Sequence, residues 1–485
     1  MEDSGKFDVL VVGAGPVGLV VASELAKTGI PVTIIDKRNK PTWHSKANVL
    51  WPRSLELLAR LNITDILARQ AHQLQMINFH KETQIIASHN FSSLLDSPYP
   101  FALTQPQPAT EMVLEQNLRQ LGITVDRELE LVNLQQSEHT VDVVLQRPDK
   151  TLENRHFAWV IGADGKNSTV REKSGIYFTN EVVPIMFTLV DAYANGVPAN
   201  QADYYFGSQG SLAIAPIGPN LYRFATSAFA LEDVESIKDS LQKLLNNLGV
   251  LGEITRVRYA AQFQAMIGQA STYRKGRVLL AGDAAHLSTP ASGQGMNTGI
   301  QDAIALGWRL AHVLLGHIDE SSLNEYDEER RSHVDSVLAW TRAQTAQVDE
   351  NSQTLSTTKT DMPSIRQIAQ LDVQYGKTGT RIPPLPRSVL RHQNDYDPAA
   401  PSVLLYPGDI YSAERWIKEV ARIRSIAPAY FQVVDLAGKA LEPRLTSISS
   451  LGRTALIVRP DQHLQLSIDP ANLSVDTFTE LGWRW

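Results

Sequence analysis

Residues 276–310 read GRVLLAGDAAHLSTPASGQGMNTGIQDAIALGWRL, and this stretch decides the fold. Its apolar run at 278–281 is typical of a buried strand, which Gly282 and Asp283 end. A loop rich in proline, serine and glycine follows, and from Met296 onward apolar residues recur at helical spacing. The stretch therefore predicts a strand, a glycine-rich loop and a helix.

The same stretch predicts a ligand site. A carboxylate at the end of a parallel strand lies at the crevice where such sheets bind ligands, and Asp283 has that place here. The loop before the helix offers free backbone N–H groups and the positive end of the helix dipole. These features suit a ligand with hydroxyl groups at one end and an electron-rich ring at the other. A tight strand–helix turn with a solvated Asp283 is the alternative.

Length, charge and cysteine content exclude several classes of protein. A chain of 485 residues predicts two or three domains. The net charge of −7, without a long basic run, argues against nucleic-acid binding. With no cysteine, disulfides, thiolate chemistry and cysteine-ligated metals are excluded. No apolar run approaches the length of a membrane span and no signal peptide is recognised, so we expect a cytoplasmic protein.

The beginning of the chain carries a dinucleotide-binding fingerprint. A buried-strand pattern at 7–12 runs directly into GAGPVG at 13–18, and residues 17–28 are typical of a helix. A second apolar strand at 32–35 ends at Asp36. This is the strand–turn–helix–strand context that the fingerprint requires, so it predicts dinucleotide binding. It does not separate NAD from FAD.

Each glycine of the fingerprint has a physical role. Gly13 permits the tight turn, Gly15 lets the backbone approach a pyrophosphate, and Gly18 lets the helix pack closely on the strand. Asp36 can accept hydrogen bonds from the ribose hydroxyls. A glycine-rich turn without a ligand is the alternative interpretation.

Cations near the fingerprint have two interpretations each. Lys37 and Arg38 directly follow Asp36 and could hold a 2′-phosphate, although the acidic residue argues against that. Lys46 and Arg53 could meet phosphate, or they could be solvated loop cations.

Three patterns between these motifs bear on the site. Residues 54–70 are predicted to form one amphipathic helix. Another helix, through Leu121, is predicted to begin at Ala109 or Thr110, with Gln107 just before it. A β-meander at 123–161 ends in a further turn of the strand–Asp–Gly–helix kind, which begins at Asp164.

The rest of the chain predicts additional units. Residues 180–268 hold short alternating strands and one charged helix near 231–247, which predicts a β-rich domain that covers a substrate. Residues 351–401 are polar and increasingly proline-rich, which is typical of a linker or wrapping segment. From 402 onward, alternating strands and a helix predict a small α/β unit.

Over most of residues 7–335 the chain resembles the single-component FAD-dependent aromatic hydroxylases, the para-hydroxybenzoate-hydroxylase-like flavoprotein monooxygenases. GAGPVG with Asp36 is similar to the family's site for the ADP part of FAD. Asp164-Gly165, with Ser168 and Arg171, resembles the motif that serves the pyrophosphate region and the nicotinamide donor. The C-terminal segment resembles the thioredoxin-like extension of the polyketide and phenol hydroxylase branch, although without cysteine it cannot be redox active.

The stretch that decides the fold also resembles this family. Its Gly282-Asp283 resembles the motif whose aspartate binds the flavin ribityl chain, the loop at Pro290 would lie against the flavin ring, and Gln107 resembles a flavin-contacting glutamine. The cofactor-binding residues that these resemblances and the fingerprint predict are Gly13, Gly15, Pro16, Val17, Gly18, Asp36, Lys37, Arg38, Lys46, Gln107, Asp164, Gly282, Asp283, Pro290, Gly293, Gly295, Met296 and Asn297.

The resemblance implies an α/β fold in which a β-sheet-rich substrate domain is inserted into a Rossmann-like FAD-binding domain. A small thioredoxin-like α/β domain follows at the C-terminus. The predicted division is 1–75, 101–178 and 269–350 for the FAD-binding domain, 76–100 and 179–268 for the substrate domain, 351–401 for the linker, and 402–485 for the C-terminal domain.

The resemblance also implies an activity. NAD(P)H would reduce non-covalently bound FAD, and O2 would form a flavin C4a-hydroperoxide that hydroxylates a phenolic or polycyclic aromatic small molecule. Tyr204, Arg223, Arg258 and Pro290 are the predicted pocket residues; no catalytic base is identified and no metal is expected. We expect a monomer or homodimer without a nucleic-acid partner or membrane span. A flavoprotein epoxidase, a Baeyer–Villiger-type oxygenase and a non-catalytic flavin- or ligand-binding protein are the alternatives.

Overall fold

The computed structural model describes residues 8–41, 47–207, 210–229, 234–289, 293–346, 363–375, 379–385, 396–408, 412–437 and 452–485. The described strands, in chain order, are β1 (Val9–Val12), β2 (Val32–Asp36), β3 (Val49–Leu50), β4 (His72–Leu74), β5 (Met76–Lys81), β6 (Gln84–Asn90), β7 (Ala102–Thr104), β8 (Asp126–Arg127), β9 (Glu130–Gln136), β10 (Val141–Gln146), β11 (Leu152–Phe157), β12 (Trp159–Gly162), β13 (Phe178–Asn195), β14 (Gln201–Gly207), β15 (Gly210–Gly218), β16 (Leu221–Thr226), β17 (Glu253–Ala270), β18 (Arg274–Lys275), β19 (Val278–Leu280), β20 (His286–Leu287), β21 (Gln374–Tyr375), β22 (Gly379–Thr380), β23 (Ser402–Tyr406), β24 (Gln432–Asp435), β25 (Thr454–Val458) and β26 (Leu464–Ile468). The described α-helices are α1 (Pro16–Lys27), α2 (Pro52–Ala59), α3 (Thr64–Gln70), α4 (Gln107–Gln120), α5 (Thr169–Lys173), α6 (Val234–Asn247), α7 (Gly295–Leu314), α8 (Ser322–Ala346), α9 (Ile365–Ile368), α10 (Ala413–Ile426) and α11 (Val475–Glu480).

A mostly parallel sheet organises the nucleotide-binding part. Its strands lie in the order β18-β19-β12-β1-β2-β8, and β1 pairs in parallel with β12 and β2. All four residues of β1 are buried, as the continuous apolar sequence predicts for a strand covered on both faces. Because β1, β12 and β19 run parallel, the turns at Gly13, Asp164 and Gly282 lie at the same edge of the sheet.

An eight-stranded sheet forms the second layer of the site. Its order is β20-β17-β13-β16-β15-β14-β5-β6, so β5 and β6, which come before most of its strands in the chain, complete one side. On the other side, β20 pairs with β17 through the register Gln269 with His286. Since β20 follows the Gly282 turn directly, this sheet reaches the nucleotide-binding edge.

The C-terminal residues form a separate mixed sheet with the order β24-β23-β25-β26. β23 pairs in parallel with β24 and antiparallel with β25, and α10 contacts β24. The predicted α/β fold class, with a Rossmann-like sheet, a large second sheet and a small C-terminal α/β unit, is confirmed. The division into numbered domains stays a prediction.

Two predicted helix boundaries are wrong. The single helix expected at 54–70 is two helices, α2 and α3, because the chain turns between them at Asn62, whose φ is 59°. Helix α4 begins at Gln107, with Pro106 as its N-cap, and Pro108 is tolerated in the first turn, where its missing N–H costs nothing. Gln107 therefore belongs to the helix. In the part of the chain that the structure describes, no helix has the length and apolarity needed to cross a bilayer.

Candidate active site

A cleft of about 740 Å³ runs along the carboxyl edge of the parallel sheet. This volume is within the range of pockets that hold cofactors. The turns after β1, β2, β12 and β19 and the beginning of α7 all contribute to its walls. The predicted cofactor residues that line the cleft are Gly13, Gly15, Pro16, Val17, Asp36, Lys37, Arg38, Gln107, Asp164, Asp283, Gly293, Gly295 and Met296.

The glycines of the first turn divide into two kinds. A Cβ placed on Gly13 would lie 2.4 Å from the carbonyl oxygen of Ala163, and one on Gly18 would lie 1.8 Å from the carbonyl oxygen of Gly13. These two glycines allow backbone segments to touch. A Cβ on Gly15 would meet nothing within 4 Å, so Gly15 faces the open cleft and leaves room for a ligand. This cradle fits the pyrophosphate of a dinucleotide.

Asp36 closes the cleft at the end of β2. Its carboxylate accepts hydrogen bonds from the Ala14 amide at 2.9 Å and from Arg38 Nε at 3.0 Å and Nη2 at 2.9 Å, besides the Arg38 amide. Burial raises the pKa of Asp36, but the bonds from Arg38 outweigh it and hold the pKa below its usual value. Because four bonds already occupy the carboxylate, ribose hydroxyls at Asp36 require the Arg38 guanidinium to move aside.

The turn after β12 is held by its own polar groups. Ser168 Oγ donates to Asp164 Oδ1 at 2.5 Å, and the Val170 amide donates to Asp164 Oδ2 at 3.1 Å. Burial raises the pKa of Asp164 above its usual value, although these hydrogen bonds act to lower it. Arg171 donates from Nη1 to the Ala284 carbonyl at 2.8 Å, which joins this turn to the one after β19. Asp164 therefore shapes the cleft as well as lining it.

Asp302 supports the turn that presents Asp283. The Gly282 amide donates to Asp302 Oδ2 at 3.0 Å, His286 Nε2 lies 2.6 Å from the same oxygen, and Arg330 Nε donates to Asp302 Oδ1 at 2.7 Å. Burial raises the pKa of Asp302, but the neighbouring charges outweigh it and lower that pKa to about 2. Asp283 itself is exposed and lines the cleft, so the turn that carries it is fixed from behind while Asp283 lies on the open side.

Some predicted residues lie behind the cleft. Asn297 is fully buried; its Oδ1 accepts from the Trp51 amide at 2.8 Å and its Nδ2 donates to the Gly293 carbonyl at 2.9 Å. Like Gly18 and Gly282, it shapes the wall and does not line it. Lys46 and Pro290 lie outside the described residues, so their predictions stay predictions.

A smaller cavity of about 120 Å³ adjoins the cleft. Asn48, Phe263 and Gly293 line both spaces, so the cavity lies at the α7 end of the cleft. None of its described lining residues is Asp or Glu. The apolar side chains in its walls include Leu74, Ile77, Phe79, Phe187, Leu189, Phe206, Leu212 and Ile214.

Only some of the predicted pocket residues line the cavity. Tyr204 and Arg223 line the cavity, whereas Arg258 is exposed on β17 and is not among the lining residues. Burial raises the pKa of Tyr204 to about 12. Its hydroxyl therefore stays protonated at neutral pH and cannot serve there as an anionic base.

Sequence reasoning missed several lining residues, including Trp51, Trp340 and Ile368. Trp51 precedes α2, Trp340 lies on α8, and Ile368 lies in the segment predicted to be a linker or wrapping segment. No local pattern marks these residues, because only the tertiary fold brings them together. The apolar character of Ile368 within a polar segment was the one available signal.

The structure contradicts both interpretations of Arg53, the phosphate ligand and the solvated loop cation. It is 1% exposed, and its guanidinium donates to the Asp461 carbonyl at 2.7 Å and to Gln462 Oε1 at 3.0 Å. Glu56 accepts another bond from it at 3.1 Å. Arg53 therefore joins α2 to the C-terminal unit and does not face the cleft.

Comparison with known proteins gives a consistent result. Residues 6–341 match the sequence family described as an FAD binding domain. The chain is 33% identical over 349 residues to an uncharacterized aromatic compound monooxygenase, YhjG, of Bacillus subtilis, a match covering 71% of this chain and 69% of that protein. It is 30% identical to the 12-dehydrotetracycline 5-monooxygenase/anhydrotetracycline 6-monooxygenase of Streptomyces rimosus, over 99% of both chains. The solved structure of OxyS anhydrotetracycline hydroxylase from Streptomyces rimosus superimposes with a TM-score of 0.77 at 28% identity, over 98% of both chains.

Proposed function

The chain belongs to the FAD-binding family of flavin-dependent aromatic monooxygenases, and on that premise we propose that it hydroxylates a phenolic or polycyclic aromatic small molecule in the cavity beside the cleft. It is an FAD-dependent monooxygenase, and enzymes of this family use NAD(P)H and O2. The observation that carries the proposed substrate class is an apolar cavity that lies directly beside the cleft and shares the wall residues Asn48, Phe263 and Gly293 with it.

We propose that the cleft residues hold FAD without a covalent bond. The backbone at Gly15 would receive the pyrophosphate, Asp36 the ribose hydroxyls and Asp283 the ribityl hydroxyls. Gln107 and Lys46 belong to the same proposal, as does Pro290. Bound FAD supplies the redox chemistry by which electrons from NAD(P)H activate O2.

The chain's own residues prepare this chemistry in two ways. The apolar walls of the cavity exclude water from the reacting groups. The N-terminal turn of α7, at Gly295 and Met296, presents backbone N–H groups and a positive dipole end to the cleft, which stabilise negative charge there. Among the described residues of the cavity walls there is no Asp or Glu, so no carboxylate base is assigned there.

The volume of the cavity limits what it holds. An engineered protein cavity of about 150 Å³ binds benzene, so a cavity of about 120 Å³ suits one aromatic ring. We propose that the ring to be hydroxylated enters the cavity. Further rings of a polycyclic substrate need the opening toward the cleft or a movement of the walls.

We also propose a cytoplasmic location and a monomeric or homodimeric state. The sequence has no apolar run of membrane-span length, which supports the first statement. Light scattering after size exclusion, at two protein concentrations, tests the second. A mass above that of a dimer would contradict it.

A substrate screen tests the proposed function. Holoenzyme is supplied with NADH or NADPH and with single compounds, including anhydrotetracycline, pentachlorophenol and simple phenols, and the products are analysed by mass spectrometry. We expect at least one compound to accelerate NAD(P)H oxidation and to gain one oxygen atom on its ring. Enzyme stripped of FAD is the control. Oxygen gained as an epoxide or as a lactone would change the reaction type, and peroxide formation with every compound would contradict a monooxygenase of aromatics.

A further inference from the structure

Three residues that line the cavity carry buried N–H donors that have no partner. Trp51 Nε1, Arg223 Nη1 and Trp340 Nε1 are all buried atoms without a hydrogen-bond acceptor, and all three residues line the cavity. They come from different parts of the fold: Trp51 precedes α2, Arg223 lies on β16, and Trp340 lies on α8. The packing of a single helix or strand therefore does not explain why all three residues line the same cavity.

Leaving such donors unpaired is energetically costly. A buried N–H group without an acceptor loses its hydrogen bond to water and gains nothing in return, and native structures contain few such groups. Other polar groups in the same walls do have partners: Thr104 Oγ1 donates to the His72 carbonyl, and Ser211 Oγ pairs with Ser227 Oγ. These three donors, in contrast, have no acceptor. None of the described lining residues is an Asp or Glu that could accept from them.

Arg223 shows how one of these donors is left without an acceptor. Its Nε and Nη2 donate to the Asp191 carboxylate at 2.8 and 2.9 Å, and Arg223 is 3% exposed. This pair balances the charge of the guanidinium and fixes its orientation, while Nη1 stays unbound. The indole of Trp51 lies beside Gly293, a residue that lines both the cavity and the cleft: a Cβ placed on Gly293 would lie 3.9 Å from Trp51 Nε1.

We infer that Trp51, Arg223 and Trp340 form an acceptor-recognition site, which selects aromatic molecules that carry carbonyl or phenolate oxygens over hydrocarbons of the same shape. The inference rests on the proposed function, since it makes this cavity the place where the substrate binds. A site built to hydrogen-bond a ligand rejects an analogue that lacks the matching group, because the protein's buried polar groups are then left unpaired. The substrate of this chain therefore brings acceptor oxygens at more than one position around its ring system.

Binding to the oxidised holoenzyme without NAD(P)H tests this inference. The probes are hydroxynaphthoquinone and naphthalene, which share a two-ring skeleton and differ in their oxygens, and changes in flavin absorbance report binding. Trp51→Phe and Trp340→Phe each remove an indole N–H and keep an aromatic ring, and Arg223→Lys keeps a charge for Asp191. We expect each Trp variant to bind hydroxynaphthoquinone about fivefold more weakly and Arg223→Lys about tenfold more weakly, with naphthalene affected less than about twofold.

Trp308→Phe is the matched control. Trp308 Nε1 is also buried and unpartnered, but Trp308 packs against Trp483 of the C-terminal unit and does not line the cavity. This variant should bind both probes as the parent does. Melting temperatures of all variants show whether each remains folded.

The outcomes separate this inference from the proposed function. Unchanged binding of hydroxynaphthoquinone in all three variants, or an equal loss for naphthalene, would overturn the recognition site even if the enzyme inserts oxygen into aromatics. Selective loss of hydroxynaphthoquinone binding would support it even if the substrate screen finds no product. In that second case the proposed reaction fails and the acceptor-recognition site stands.

Discussion

Gly15 and Gly18 lie three residues apart, and a methyl group has opposite consequences at the two positions. Gly15 has φ −79° and open space around it, so Gly15→Ala should fold normally but place its methyl where the pyrophosphate approaches. We expect FAD affinity to fall about tenfold or more with an unchanged melting temperature of the FAD-free protein. Gly18→Ala should instead unfold at a lower temperature, because its Cβ overlaps the Gly13 carbonyl. Fluorescence titration with FAD measures the affinity, and thermal unfolding measures the melting temperature. If both variants show the same changes in FAD affinity and in melting temperature, Gly15 and Gly18 do not have these different roles.

Asp283 is expected to hold the ribityl chain through charge-assisted hydrogen bonds, each of about 1.5–3 kcal/mol. Asp283→Ala should therefore weaken FAD binding by about tenfold or more. Asp239→Ala, which removes an exposed carboxylate from α6, is the control and should retain FAD as the parent does. If both variants retain FAD equally, the ribityl chain does not lie at Asp283.

Asp302 predicts a pH dependence of stability. Its pKa is about 2 in the folded chain, below its usual value of 3.8, so the ionised carboxylate stabilises the fold above pH 4 and loses this effect as pH falls toward 2. We expect Asp302→Asn to lower the unfolding free energy by about 3 kcal/mol at pH 7, because Arg330 loses its buried partner. The gap between parent and variant should narrow below pH 4 in urea unfolding. If the difference in unfolding free energy between parent and variant stays constant from pH 7 to pH 3, the ionised Asp302 does not stabilise the fold in this way.

Single residues were predictable where a backbone geometry demands a residue type. Gly13 and Gly18 shape the cleft because only glycine permits their close backbone contacts. Gly15 and Asp283 line the cleft because each follows a strand that ends at the crevice. The bond from Arg38 to Asp36 could not be foreseen, since Arg38 lies two residues after Asp36, beyond the end of β2, where the sequence does not fix the direction of a side chain. Trp51 and Trp340 could not be foreseen either, because they meet only after α2 and α8 have packed.

At the scale of elements, the segment 459–463 joins the C-terminal unit to the rest of the chain. Arg459 donates to Glu329 on α8 at 2.7 Å and to Asp461 at 2.6 Å, and it is 7% exposed. Arg459→Met leaves both carboxylates with fewer partners, so we expect the unfolding free energy to fall by about 3 kcal/mol. Lys418→Met, which breaks an exposed pair with Glu414 on α10, should change it by less than about 0.5 kcal/mol. Urea unfolding measures the unfolding free energy of both variants. If the two substitutions lower it equally, the buried ion pairs of Arg459 stabilise the fold no more than an exposed pair does.

Elements with a long, regular pattern were predicted well, and elements that depend on tertiary contacts were not. Both ends of α1 and the beginning of α7 agree with the apolar periodicity to within about one residue. The break between α2 and α3 was missed because Asn62 takes its left-handed conformation without a glycine to mark it. Residues 363–371 belong to the predicted linker or wrapping segment, and their sequence did not indicate α9 or its place at the cavity: Ile368 lines the cavity, and Gln370 donates to Thr298 Oγ1 at 3.2 Å.

At the scale of the whole molecule, three strand-end turns in the right order were enough to predict the α/β fold, FAD and the class of enzyme. The parallel order β19-β12-β1 explains why these motifs, distant in sequence, converge on one cleft. The cavity was less predictable, since its walls come from two sheets, α8 and a segment near residue 368. The substrate is therefore proposed from the chemistry of the walls and not from a sequence motif.

Labelling with 18O2 tests the central claim most directly. A compound that the substrate screen shows to be converted is incubated with holoenzyme and NAD(P)H under 18O2, and the product is analysed by mass spectrometry. A monooxygenase places one heavy atom in the aromatic product and the other in water, so we predict a product heavier by one 18O atom. A product without label, with the oxygen recovered as hydrogen peroxide, would contradict the claim.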